Sequence, residues 1–185
     1  MINTTYRPSN LLEQRLVKGE YDNCTFIDCS FVGENLAGFI FTECVFENCN
    51  LSNAIIQTTM FKDVTFKHCK LLGLRFDQCN HFLISFKFEH CQLDFASFHG
   101  IKMKQTIFNG CKLHDVDFSK TDLSKSSFTN CDLNRAVFEQ CNLSQCDFST
   151  AQNFSINPEH NTVTKAKFSS HNLSGLLEKY KLDIR

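Results

Sequence analysis

From Leu16 onward a bulky apolar residue recurs at every fifth position: Tyr21, Phe26, Phe31, Leu36, Phe41, Phe46, Leu51, Ile56, Phe61, Phe66, Leu71 and Phe76. The pattern resumes at Phe88 and continues through Leu93, Phe98, Met103, Phe108, Leu113, Phe118, Leu123, Phe128, Leu133, Phe138, Leu143 and Phe148. A period of five suits neither an α-helix, which repeats near 3.6, nor a lone strand, which repeats at 2. It suits a chain that turns a corner every five residues. Two positions before each place in this five-residue register lies a second slot, small or apolar, and all 11 cysteines fall in it: Cys24, Cys29, Cys44, Cys49, Cys69, Cys79, Cys91, Cys111, Cys131, Cys141 and Cys146. Residues two apart on an extended segment share a face, so each pentapeptide points one small and one large side chain inward.

A period of 20 lies over the period of five. Phe26, Phe46 and Phe66 are 20 apart, as are Phe88, Phe108, Phe128, Phe148 and Phe168, and only the step from Phe66 to Phe88 is 22. Four pentapeptides closing one coil place these Phe in a single column, here termed face one. Face two then reads Phe31, Leu51, Leu71, Leu93, Leu113, Leu133, and face three Leu36, Ile56, Phe76, Phe98, Phe118, Phe138. The expected fold is all-β: a right-handed, quadrilateral, parallel β-helix with about 20 residues per coil. Seven to eight coils at the ~4.8 Å strand spacing make a rod of about 35–40 Å. The two extra residues are expected as a bulge on face four, within residues 77–87.

Residues 1–18 are expected to cap the first coil, residues 19–169 to form the solenoid, and residues 170–185 to form a helical cap and tail. In that last segment Leu173, Leu176, Leu177 and Tyr180 fall at α-helical spacing, with Asn172 as N-cap. Their apolar stripe is expected to cover the last coil, to pair with a second subunit, or both. The bulge segment is apolar at Phe82, Leu83 and Ile84, which either repack against the core or offer a contact to a partner.

Charge narrows the function. Lys and Arg number 19 against 20 Asp and Glu, without the cationic surplus that direct nucleic-acid binding requires. No stretch resembles a secretory signal or an 18-residue apolar span, so no membrane association is expected. Eleven cysteines without an export signal point to reduced thiols in the cytoplasm. They read as buried small hydrophobes: side chains lined up in parallel suit neither disulfides nor tetrahedral zinc. His68 and His90 fall on one face of adjacent coils and read as outward polar residues. Glycine-rich phosphate loops and nucleophile motifs are missing, so neither an enzyme nor a cofactor is expected.

The stretches CTFIDCSF, CKLHDVDFSKTDLSKSSFTNCDL and CNLSQCDF resemble the pentapeptide-repeat family consensus, and the resemblance spans about residues 19–149. The ending AQNFSINPEHNTVTKAKF followed by LSGLLEKYKLDI is similar to the subgroup of Qnr-type quinolone-resistance proteins, MfpA, and the microcin and albicidin immunity proteins. That resemblance implies a homodimer joined through the C-terminal cap. It also implies binding to a type II topoisomerase, DNA gyrase or topoisomerase IV, by imitation of duplex DNA, with protection from quinolones or toxins. The implied contacts are acidic: Asp22, Asp28, Glu34, Glu43 and Glu47 in a stretch free of Lys and Arg from Gly19 to Phe61. A second group, Asp115, Asp117, Asp122, Asp132, Glu139 and Asp147, is diluted by Lys120, Lys125 and Arg135. The plainer reading is a solvated acidic surface on an interaction scaffold with an unrelated partner. A continuous negative strip along the rod favours the topoisomerase; a patchy surface favours the scaffold.

Overall fold

The computed structural model describes residues 1–8 and 16–183, so the middle of the expected N-terminal cap and the last two residues of the tail lie outside the described residues. The described residues form ten short strands: β1 (Thr5–Tyr6), β2 (Glu20–Asp22), β3 (Thr25–Ile27), β4 (Ile40–Thr42), β5 (Val45–Glu47), β6 (Met60–Lys62), β7 (Val64–Lys67), β8 (Phe86–Glu89), β9 (Ile107–Asn109) and β10 (Ser127–Thr129). Face one is the sheet β1-β3-β5-β7-β8-β9-β10 and face four the sheet β2-β4-β6. All pairings are parallel, with Phe26 against Phe46 and Phe41 against Phe61, which are 20 residues apart. Faces two and three are held by single parallel bridges, such as Ser30 to Asn50 and Asn35 to Ile55. The molecule is therefore a four-sided parallel β-solenoid with one pentapeptide per side.

Stacking fills the core. Along face one, Phe108 meets Phe88 and Phe128 with parallel rings at 5.0 and 4.9 Å. Across the core it meets Phe98 and Phe118 edge-on, at 84° and 83°. Each fully buried Phe contributes about 1.5–3 kcal/mol of transfer free energy, so the columns dominate the stability.

The small slot does more than fill space. The Cys69 thiol donates to Phe46 O at 3.3 Å and Lys67 O at 3.2 Å, joining its own coil to the previous one. Thr59, Thr121 and Asn161 occupy the same slot on face four and donate to the face-three carbonyls Leu36 O, Phe98 O and Phe138 O at 2.7, 2.8 and 3.0 Å. The cysteines are all free and buried. Burial pushes the thiols of Cys44 and Cys141 up to about 11 and that of Cys146 up to about 12. Corners use a left-handed residue, often Asn or Gly, which tolerate positive φ, but also Lys, Gln and Asp.

The register shift is confined to a short stretch. Met60 bridges Asn80, 20 residues on, whereas Val64 pairs with Phe86, 22 on. The extra residues therefore fall between Asn80 and Phe86. Ile84 and Phe86 turn inward, while Phe82 and Leu83 stand exposed, 67% and 57% accessible. Phe86 occupies a small slot but carries a large ring, which packs 5.7 Å from Phe61 and 5.2 Å from Phe76.

The C-terminal segment differs from expectation. Ser170–Leu176 and Glu178–Tyr180 wind as 3-10 turns and not as an α-helix. Ser169, not Asn172, is the N-cap, its hydroxyl accepting from His171 N. Asn172 turns inward and donates to Phe148 O and Ala151 O. The physical reason is Gly175: its carbonyl accepts from Ile156 N, and a Cβ there would overlap the Phe154 carbonyl and ring. Docking the backbone this closely favours the tighter winding. Among the described residues no helix is long and apolar enough to cross a membrane.

Candidate interaction surface

The carboxylates of the first three coils gather on faces four and one. Glu20 and Asp22 point outward from β2, and Glu47 from β5. Asp28 and Glu43 sit at corners with φ of 56° and 52°. Below Glu43, one coil on, lies Asp63 with φ of 53°. Sequence reasoning missed Asp63 because Lys62 precedes it; the period of 20 from Glu43 was the available signal. Among the described residues none of these six joins an ion pair within 4 Å. Glu34 is also exposed but lies on the opposite side, at the turn between faces two and three.

The second acidic group is arranged differently. Asp115 is held bidentate by Arg135 at 2.7 and 2.6 Å. Asp122 faces Lys104 at 3.3 Å, Asp147 faces Lys167 at 3.7 Å and Asp117 faces His99 at 3.4 Å. His114 reaches Asp94 through Nδ1 at 3.0 Å and Asp132 through Nε2 at 2.8 Å, and His160 lies 3.0 Å from Glu139. Burial opposes ionisation of Asp122, but the Ser124 N–H and hydroxyl and Lys104 outweigh it and hold the carboxyl below its usual range. Asp147 is likewise lowered, mainly by the Ser149 hydroxyl and N–H. Asp115, Asp117, Asp122 and Asp132 point from three different faces, so no carboxylate ladder forms there. Glu43 above Asp63, by contrast, places acid on acid in adjacent coils.

Elsewhere the surface is sparse in chemistry. The His68 and His90 rings stack at 5.2 Å and 10°, and no group of three His, Cys, Asp or Glu converges to hold a metal ion among the described residues. Leu83 adopts φ of 55°, a strained geometry for a branched side chain. At the far end Leu173, Leu177 and Tyr180 are exposed, while Leu176 packs on the core. Tyr180 donates to Glu159 Oε1 at 3.0 Å and Lys179 pairs with the same carboxylate, which pins the terminal turn. A cleft of about 960 Å³ separates this turn from the last coil, next to Asn153 and Asn172.

A family model for the pentapeptide repeat region matches residues 39–110 and 101–176. No curated protein matches the chain. Among solved structures, a trypsin-treated form of QnrB1, a plasmid-mediated fluoroquinolone resistance protein, aligns with a TM-score of 0.67 at 16% identity, covering 100% of this chain and 97% of that one. A second trypsin-treated QnrB1 variant gives 0.54 at 17% identity, covering 100% and 98%. HetL, a pentapeptide repeat protein involved in heterocyst differentiation regulation in the cyanobacterium Nostoc, gives 0.49 at 13% identity, covering 91% and 82%. At these identities the likeness is one of fold.

Proposed function

The chain belongs to the pentapeptide-repeat family, and from that premise we propose that it is a non-catalytic binding rod that docks on a type II topoisomerase. Its N-terminal acidic edge imitates duplex DNA and shields gyrase or topoisomerase IV from quinolones or toxins. The observation that carries this reading is the set of carboxylates on faces four and one that join no ion pair among the described residues. Three coils at the ~4.8 Å strand spacing occupy about 10–14 Å of rod. Duplex DNA carries one charge per ~1.7 Å, or about six to eight over that length. Glu20, Asp22, Asp28, Glu43, Glu47 and Asp63 supply a comparable density, offset in the third coil by Lys62 and Lys67. The fold likeness to a fluoroquinolone resistance protein supports the same reading. Under it the protein is cytoplasmic, and Leu173, Leu177 and Tyr180 join two rods end to end.

A second reading, an interaction scaffold with an unrelated partner, is favoured by one observation: the carboxylates of the later coils are held by Lys, Arg or His side chains, so the open carboxylates do not run the length of the rod. A supercoiling assay separates the two. Purified protein titrated into gyrase with a quinolone should restore supercoiling, or inhibit it at higher protein concentration. The combined variant Asp22→Asn, Asp28→Asn, Glu43→Gln, Glu47→Gln should lose that effect by tenfold or more while remaining folded. An inert wild type at micromolar concentration, against both gyrase and topoisomerase IV, leaves the scaffold.

A further inference from the structure

The small slot of face two holds cysteine in six successive coils: Cys29, Cys49, Cys69, Cys91, Cys111 and Cys131. Parallel bridges one residue on, from Ser30 to Asn50 and so down to Lys112 and Asp132, fix them in one column. Size does not explain the run. Face one fills the equivalent slot with Cys44, Val64, Phe86, Thr106 and Ser126 in turn, and face three with Ala54, Leu74, Ala96, Val116 and Ala136. All six thiols are free and buried. Cys49, Cys69 and Cys91 donate alike, to Phe26 O, Phe46 O and Phe66 O of the preceding coil, each at 3.3 Å. Each also donates to the carbonyl two residues back, at 3.4, 3.2 and 3.4 Å. One rotamer therefore repeats, and the sulfurs follow the coils at a spacing of about 4.8 Å. Every thiol in the column lies within hydrogen-bonding reach of the next.

We propose that this ladder is a binding site for a soft divalent cation that takes two thiolates in line, with mercury(II) as the type case. Metal–thiolate bonds of about 2.3 Å span roughly 4.6 Å when collinear, close to the coil spacing. An ion midway between two stacked sulfurs meets each one side-on to its Cβ–Sγ bond, the bent angle that a thiolate sulfur prefers. Parallel side chains, which suit neither a disulfide nor a tetrahedral ion, suit this geometry. Among the described residues no three His, Cys, Asp or Glu converge on a point, so the ladder offers two-fold coordination and not higher.

Charge selects the ion. Binding follows 2 RSH + M²⁺ → RS–M–SR + 2 H⁺, which leaves the site neutral. Among the described residues no Lys, Arg, Asp or Glu is buried. A monovalent ion on two thiolates would therefore leave an unbalanced negative charge between the Phe columns. A sulfur shared by two collinear ions would need a straight angle, so the six thiols act in pairs and hold three ions. Each ion ties two coils together. At its N-terminal end the column is roofed by β1, only two residues long, where Cys29 reaches Tyr6 O at 3.6 Å. Local opening of that strand admits the ion, and exchange between neighbouring thiols carries it inward. The site is interior and independent of the acidic edge.

The test is mercury(II) retention by the full chain against excess glutathione, counted by native mass spectrometry after a day below the unfolding temperature. All chains carry Cys44→Ala, which removes the neighbouring Cys24–Cys44 pair of face one. Two triple variants then keep the same number of thiols in different order. Cys91→Ala, Cys111→Ala, Cys131→Ala leaves Cys29, Cys49 and Cys69 adjacent, whereas Cys49→Ala, Cys91→Ala, Cys131→Ala leaves no two adjacent. Alanine already fills this column at Ala151, where it is buried, and matched melting curves check that both variants fold. The background chain should retain three ions, the first variant one and the second none, an apparent affinity at least tenfold below the first. X-ray absorption on the loaded background chain should count two sulfurs per ion, a result that stands whatever the variants do. Silver(I), thiophilic but monovalent, should be stripped by the same glutathione. An ion-free background chain, equal retention by two folded variants, or three or four sulfurs per ion overturns the proposal; retained silver(I) overturns the selection by charge.

Discussion

The register shift makes a demand on the core that a single substitution can measure. Phe86 stands in the small slot of face one, where the neighbouring coils carry Val64 and Thr106. By slot alone it should be replaceable with a small residue. The structure says otherwise, because the insertion removes the large inward residue of face four from that coil, between Phe61 and Met103. The Phe86 ring fills the vacated space, 5.7 Å from Phe61, 5.2 Å from Phe76, 5.4 Å from Phe88 and 6.4 Å from Phe66. Truncation in so enclosed a site leaves a cavity, and Phe86→Ala should cost about 3–5 kcal/mol. For a chain of this size that corresponds to a fall in Tm of roughly 6–20 °C. Far-UV circular dichroism through thermal and urea unfolding reads it, with Phe82→Ala as the exposed control, expected within about 0.5 kcal/mol of the parent. A loss below about 1 kcal/mol for Phe86→Ala would refute the reasoning, since it would mean that neighbouring side chains collapse into the site without penalty.

Other consequences are read more simply. Thr121→Val keeps the shape of the side chain but leaves Phe98 O with the Ile101 N–H alone, and should lose about 0.5–1.5 kcal/mol in urea unfolding, whereas Thr121→Cys should lose less. In the folded protein fewer than one of the 11 thiols should react with an aromatic disulfide reagent at pH 8, and all should react in denaturant, because every one is buried and free. Gly175→Ala places a Cβ against Phe154 and should release the terminal turn, seen as faster amide exchange at Ile156, while the solenoid stays protected. Acid should weaken the C-terminal coils: the Asp122, Asp132 and Asp147 carboxyls are held below their usual range when folded, so their stabilisation is complete above the unfolded value near 4 and fades as pH falls through the lower folded values. The variant Asp147→Asn should flatten that acid slope, and an unchanged slope would assign it to other groups.

How much of this was legible depends on which side of the chain a residue faces. Inward positions are read because every coil imposes the same demand on them. Phe26 through Phe168 had to align at intervals of 20, the cysteines had to fall in one slot, and the single interval of 22 had to be absorbed somewhere near Asn80. The donor role of the small slot was harder to see, since Cys, Thr and Ala all fit it by size. Only the bonds from Thr59 and Cys69 to the preceding coil show that a donor is used there. At the C-terminus the spacing of Leu173, Leu176, Leu177 and Tyr180 matches an α-helix, but Gly175 lies so close to Phe154 that tertiary docking overrides the period.

Outward positions carry no such repeated demand, so their pattern is visible only when the chain is read in steps of a whole coil. Read residue by residue, Asp63 belongs to its neighbour Lys62 and looks neutralised. Read one coil back, it lies beneath Glu43 and extends the acidic edge. Read in the same way, Lys102 lies directly beside Asp122 one coil on, and Lys104 pairs with that same carboxylate. His114 makes the limit of this reading plain. Its step of 20 to Asp94 is a column contact, but its step of 18 to Asp132 crosses between columns, and lateral reach of that kind depends on side-chain length and corner geometry. The two acidic groups therefore looked alike in one dimension and are opposite in three. One is left open on two adjoining faces, and the other is pinned by Arg135, Lys104, Lys167 and three histidines. Under the proposed function, recognition rests on that difference, because the interior repeats from coil to coil, and the substitutions that test it belong to the open group.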